Sequence, residues 1–296
     1  MKKKQSDLRA DSNLELFPDL PLPPPAGEMI ELRSLQHPVW TEHKAKLIGR
    51  YLQLFTYVTR HGTYIDGFAG QQNARALDGW AAKVVLSNQP KRLRRFYLCD
   101  NDAKQIKLLE QLRDEQPPRG PREQERFIEI IPGDFNLTVR DLLSRKLDAA
   151  TFCLLDQRTF ECKWSTVKAL ARHRDKPPKI ELFYFLPIGW LNRAFVATTK
   201  NRGDIDDWWG GKDWEMLIDM KPHEKAIVFE DKLRNLGYRH VHAFPIFDHE
   251  NGDRIMFYMI LASDHPEAPK LMWRAYDQAV HDIPGWHQID LLGNSE

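Results

Sequence analysis

A doubly wound α/β domain, with a mostly parallel sheet covered by helices on both faces, is the fold class that the sequence predicts. Three observations lead to it. Short apolar runs recur from Thr63 to Phe185, each nearly continuous rather than alternating, as strands buried on both faces require. Stretches with helical spacing separate them, which is the strand–helix rhythm of a parallel sheet. Acidic residues follow the runs at Asp66, Asp100, Asp134 and Asp156.

The 296 residues, 42% of them hydrophobic, suffice for one large core. A formal charge of +1 gives no net pull toward nucleic acid or an anionic membrane, although a local basic groove stays open. Cys99, Cys153 and Cys162 are too few for a disulfide framework and lack the Cys/His pairing of structural zinc, so a reducing compartment is expected. Met1-Lys2-Lys3-Lys4 leads into Gln5, Ser6, Asp7 and Arg9, and no window reaches roughly 18 consecutive apolar residues. The expectation is a soluble, cytoplasmic chain without a membrane partner.

The elements follow in order. Residues 1–36 run through Leu16-Phe17-Pro18 to Pro25 and read as a disordered, Pro-rich arm. The domain, over residues 37–285, opens with Thr41 as N-cap and a helix carrying Leu47, Ile48, Tyr51, Leu52 and Phe55 at helical spacing. A strand at Thr63–Ile65 ends at Asp66. Helices near 79–87, 102–114, 137–145 and 164–173 alternate with strands at Arg95–Cys99, Phe127–Ile131, Ala150–Leu155 and Glu181–Phe185. The rhythm breaks over 187–225, where Trp190, Trp208, Trp209 and Trp214 suggest an inserted helical lid, hinged at Gly210-Gly211. A helix at about 225–235 ends at Gly237, and strands Tyr238–Pro245 and Arg254–Ala262, joined by a turn-rich connector, form an antiparallel pair. Residues 286–296 are a tail.

In a doubly wound sheet the ligand lies beyond the carboxyl ends of the strands. Those ends carry Asp66-Gly67-Phe68-Ala69-Gly70, then Asp100, Gly133-Asp134-Phe135-Asn136 and Asp156. Gly67 and Gly70 let the backbone turn and approach a ligand, and Asp100 can accept both hydroxyls of a ribose. Asp134 can accept from an adenine amino group, with Phe135 as a flat surface beside it. Four carboxylates repel phosphate, and no G-x-x-x-x-G-K-[ST] loop occurs, so a cationic, phosphate-free adenosine compound such as S-adenosylmethionine fits better. The plainer use of such residues is turn formation and helix capping. Likewise, Lys91–Arg95 and Arg172–Lys176 read as solvated surface, and His240, His242 and His249 lack the partners of a zinc site, so no metal is expected.

Glu42-His43-Lys44 through Tyr51-Leu52, Tyr64–Gly70, Gly133–Asn136, Leu155-Asp156 with Trp164, Trp208-Trp209-Gly210 with Trp214, and Phe257–Leu261 together resemble the three-Cys-motif partner proteins. That family is bacterial and has the S-adenosylmethionine-dependent methyltransferase fold. The resemblance spans about residues 37–280 and implies a Rossmann-like sheet with an antiparallel C-terminal strand, S-adenosylmethionine as cofactor, and methyl transfer to an amine or nucleobase of a nucleic acid. It implies Asp156 and Phe160 as catalytic residues, and Asp66, Gly67, Phe68, Ala69, Gly70, Asp100, Asp134 and Phe135 as cofactor-binding residues. The expected partners are a nucleic acid and a three-Cys-motif protein similar to radical-S-adenosylmethionine proteins. The chain departs from the pattern at Gln72, where a glycine is expected, and at Gln157-Arg158-Thr159, where an amino-methyltransferase loop carries proline and an aromatic. Those departures leave a second expectation: a catalytically weakened S-adenosylmethionine-binding or nucleic-acid-binding subunit of a two-protein system.

Overall fold

The computed structural model describes residues 44–71, 79–88, 91–117, 126–145, 147, 149–174, 178–188, 191, 195, 202–247 and 254–280. The expected arm, the Thr41 cap, Gln72, Trp190, His249 and the tail lie outside them.

Among the described residues, seven strands form one sheet: β1 (Gly62–Asp66), β2 (Leu93–Asp100), β3 (Phe127–Pro132), β4 (Thr151–Leu155), β5 (Glu181–Leu186), β6 (His240–Phe247) and β7 (Ile255–Ser263). Their order is β3-β2-β1-β4-β5-β7-β6. The pairs β1–β2, β2–β3, β1–β4 and β4–β5 are parallel, whereas β7 runs antiparallel to both β5 and β6. A six-stranded dinucleotide fold has the order 3-2-1-4-5-6, and here a seventh strand is inserted against the grain before the edge. The chain is thus a doubly wound, mostly parallel Rossmann-like α/β domain.

The helices are α1 (Lys44–Thr59), α2 (Ala81–Ser87), α3 (Ala103–Asp114), α4 (Phe135–Ser144), α5 (Trp164–Arg172), α6 (Arg202–Trp209), α7 (Pro222–Arg234) and α8 (Ala268–Val280), with a 3-10 turn at Asp213–Leu217. Strand alternation divides the core in two. Tyr64, Phe96, Leu98, Phe152, Leu154, Phe183 and Phe185 face α1, α2, α3 and α8. Ile65, Tyr97, Cys99, Cys153, Leu155, Leu182 and Tyr184 face α4, α5, α6 and α7. The central strands β1, β4 and β5 are buried at every position, which is why they read as unbroken apolar runs. The three cysteines are free and buried.

Two helix starts move from their expected places for local reasons. The fourth helix begins at Phe135, not 137, because the Asp134 side chain caps it by accepting from Asn136 N. The seventh begins at Pro222, not near 225: proline occupies the first turn, and the Glu224 carboxylate reaches back to accept from Lys221 N at 2.6 Å.

Within the 187–225 insertion, Trp208, Trp209 and Trp214 are 0%, 3% and 4% exposed. Trp208 meets Phe160 edge-on at 4.9 Å and Phe229 at 5.1 Å, and Trp214 stacks on Phe195 at 5.2 Å. Gly210 has φ +81, and a Cβ there would lie 2.5 Å from Trp164 Cδ1, so the glycine serves close packing. These rings seal the core and are not free to stack on a base. No helix among the described residues is long and apolar enough to cross a membrane.

Candidate functional site

The strand order reverses between β1 and β4, and the loops beyond the carboxyl ends of β1–β4 enclose a cleft of about 660 Å³. Among the described residues six carboxylates line it, Asp100, Asp102, Asp134, Asp156, Glu161 and Asp204, against the cations Arg158 and Lys163. Lys163 is in turn paired with Asp207 at 2.7 Å. The lining is therefore acidic, an environment that favours a cation and opposes a polyphosphate.

Each predicted residue has a definite place. Asp100 is clamped by backbone donors: Oδ2 accepts from Gly70 N at 2.8 Å and Oδ1 from Asp102 N at 2.8 Å. The clamp needs Gly70, since a Cβ there would lie 2.3 Å from Asp100 Oδ2. Gly67 leaves room in the same way for Phe135, whose Cδ1 would be 2.5 Å from a Cβ. Both glycines thus let the chain's own side chains close on the loop. Gly67, Phe68, Gly70, Asp100, Asp134, Phe135, Asp156 and Phe160 all border the cleft. Phe135 is 2% exposed and packs edge-on against Phe68 at 6.2 Å, so most of its ring lies within the core. Asp134 acts as a cap, its Oδ1 accepting from Asn136 N at 2.9 Å and Nδ2 at 2.7 Å.

Asp66 and Ala69 are not part of the cleft lining. Asp66 shares a strand face with Tyr64, whose hydroxyl donates to Oδ2 at 2.8 Å, while Phe68 N donates to Oδ1 at 3.2 Å. Burial pushes its carboxyl up to about 7, the Asp156 and Asp100 charges add to this, and the two donors oppose it. Ala69 ties the loop down: its N donates to Cys99 O at 2.8 Å, and its carbonyl accepts from Trp80 Nε1 at 2.7 Å.

At the end of β4, Asp156 forms a buried ion pair. Lys44 Nζ lies 2.9 Å from Oδ1 and 2.7 Å from Oδ2, and 4.7 Å from the centre of the Phe185 ring. Gln157, 1% exposed, is a bracket between strand and loop: Nε2 donates to Phe185 O at 3.1 Å, and Oε1 accepts from Cys162 N at 2.9 Å. Arg158 is exposed where it lines the cleft, and its backbone N donates to Glu161 Oε2 at 2.8 Å. Phe160 is half-buried between the cleft and Trp208.

Sequence reasoning gave no role to Lys44 or Gln157. For Lys44 a signal exists: it lies three and four residues before Leu47 and Ile48, on the buried stripe of α1. A charged residue on an apolar stripe demands a partner. Among the described residues no group of three or more His, Cys, Asp or Glu is placed to hold a metal ion.

The sheet order, the inverted β7 and the strand-end cleft place the chain in the doubly wound, Rossmann-like class of α/β fold, with the cleft at its switch point. Similar solved structures include Trm1 from Pyrococcus horikoshii with S-adenosyl-L-methionine, at 13% identity over 78% of this chain and 58% of that one, TM-score 0.44. They include the methyltransferase domain of bacterial CtHen1, at 12% identity over 75% and 99%, TM-score 0.43. The plantazolicin methyltransferase BamL, in complex with a triazolic desmethylPZN analog and SAH, is similar at 10% identity over 76% and 86%, TM-score 0.42. The chain spans just under three fifths of the length of the Trm1 chain. No family model matches the chain, and no curated protein sequence matches it.

Proposed function

We propose that the chain binds S-adenosylmethionine in the cleft at the ends of β1–β4 and transfers its methyl group to an amine or nucleobase nitrogen of a nucleic acid. The carrying observation is the acid-lined cleft at the switch point, with Asp100 clamped at its side. The donor set fits the group. Each Asp100 oxygen accepts one backbone N–H and keeps lone-pair capacity for a ribose hydroxyl. Asp134 Oδ1 takes both Asn136 donors, which leaves Oδ2 for an exocyclic amino group. The group supplies an electrophilic methyl on a positively charged sulfur, and the carboxylates of the lining suit that charge.

Toward the acceptor, Asp156 would orient an amine, and Phe160 would offer a flat surface at the rim. Calorimetry with S-adenosylmethionine, S-adenosylhomocysteine and ATP is the test. Binding of the first two without ATP supports the reading, whereas ATP binding as tight, or no adenosyl binding, overturns it. Radiolabelled methyl transfer to DNA, RNA and protein then identifies the acceptor. The resemblance adds a three-Cys-motif protein as partner, to be checked by co-purification of the two chains.

The Lys44–Asp156 pair favours a second reading, in which the chain is a binding subunit of a two-protein system. A carboxylate already satisfied by an internal ammonium is poorly placed to receive an acceptor amine. S-adenosylmethionine binding without methyl transfer, even with the partner present, would select that reading.

A further inference from the structure

We infer that Lys44 sets how strongly the cleft discriminates between a cationic sulfonium and a neutral thioether, by neutralising Asp156 from behind. The inference rests on the S-adenosylmethionine reading of the cleft. Lys44 is seated by the same packing that buries Leu47, Ile48, Tyr51 and Leu52, so its ammonium enters the protein as α1 docks. The side chains of the pair are 11% and 9% exposed, and the Phe185 and Phe257 rings lie 4.7 and 5.9 Å from Nζ. In such surroundings the charges interact far more strongly than a solvated surface pair, and removing one takes from the other its close counter-charge.

The pair is placed asymmetrically. Asp156 is part of the cleft lining, and Lys44 is not. A ligand therefore meets the carboxylate first, with the ammonium on its far side. β4 lies on the opposite side of β1 from β2, which separates Asp156 from Asp100. With Asp100 and Asp134 assigned to sugar and base, the sulfur end of the ligand falls on the β1–β4 side. Asp156 is then a carboxylate near the charge that distinguishes substrate from product. S-adenosylmethionine carries that charge and S-adenosylhomocysteine does not. An Asp156 without the Lys44 ammonium would bind the sulfonium more selectively, whereas the ion-paired one brings the two ligands closer in affinity.

The test is the ratio of S-adenosylmethionine to S-adenosylhomocysteine affinity, measured by calorimetry at pH 8 for four proteins. Lys44→Met is expected to raise the ratio by about tenfold, because a charge on the cleft wall is unmasked. Asp156→Asn, which keeps the ammonium and removes its counter-charge, is expected to lower the ratio by a similar factor. The double variant Lys44→Met/Asp156→Asn returns the ratio to within about twofold of the native protein. Should Lys44→Met not fold, the opposite shift in Asp156→Asn and its reversal in the double variant carry the test. A ratio unchanged in the folded single variants overturns the role of Lys44, and equal shifts in the single and double variants do the same. If the native chain binds neither compound, the adenosyl reading itself fails, an outcome separate from an unchanged ratio.

Discussion

Asp100 holds the β1 loop through Gly70 N and the start of the next loop through Asp102 N, so its carboxylate is structural before any ligand arrives. Asp100→Ala is expected to lower S-adenosylmethionine affinity on the order of a hundredfold, from two charge-assisted hydrogen bonds. It should also lower the melting temperature by several degrees, because the two backbone donors lose their acceptor; calorimetry and thermal melts check both. Gly70→Ala tests the same clamp from the other side: its methyl group displaces the carboxylate, and affinity is expected to fall about as far. At Asp66 the argument concerns pH. Burial raises its folded-state value to about 7, against roughly 3.9 in an unfolded chain. The folded state therefore holds a proton that the unfolded state releases. The stability this group contributes is full below about pH 4 and is lost as pH rises through about 7. Glu181, buried and accepting from the Tyr51 and Ser263 hydroxyls, is likewise raised to about 7 by burial and has the same sign. Asp66→Asn cannot ionise, so its melting temperature relative to the native protein is expected to rise between pH 5 and pH 8. An equal difference at both pH values would contradict the assignment.

Among the elements, the strands were legible because β1, β4 and β5 are buried on both faces, and β2 over Phe96–Cys99 likewise, and burial on both faces leaves a continuous apolar run. The acids at their ends were legible because chain direction and strand order place every parallel strand's carboxyl end on one edge. Lys44 against Asp156 was not legible, since nothing local to either residue names a partner 112 positions away. Gln157 read as a departure from an expected loop, yet its amide joins β5 to the loop before α5, a role visible only once both are in place. The α6 segment shows the limit of composition. Tryptophans beside two glycines suggest a hinged lid, whereas Ile205, Trp208, Trp209, Trp214 and Leu217 are all buried, and Lys232 donates to Trp209 O at 2.6 Å. Limited proteolysis is accordingly expected to spare residues 202–217, and cleavage there ahead of global unfolding would show looser packing. Trp208→Ala should cost about 3–5 kcal/mol and lower the melting temperature on the order of 10 °C.

At the scale of the molecule, the sheet divides two apolar cores, and the cleft occupies one edge of it. The formal charge of +1 conceals an uneven distribution: carboxylates gather at the cleft edge, while Lys91, Arg92, Arg94 and Arg95 precede or open β2 at the other end. The inverted β7 has a consequence for the order in which the fold can be completed. β5 and β6 are not bonded to each other; each pairs with β7, which is made after both. While the chain is being synthesised, the exposed edge of β5 and the whole of β6 have no strand partner beyond β5's bond to β4 until residues 255–263 leave the ribosome, and unpaired edges invite association with other chains. A chain ending after Phe247 is therefore expected to aggregate, although it keeps every residue proposed for the cleft. Adding a separate peptide spanning Ile255–Val280 during refolding should restore soluble protein, because that segment brings both the missing strand and α8.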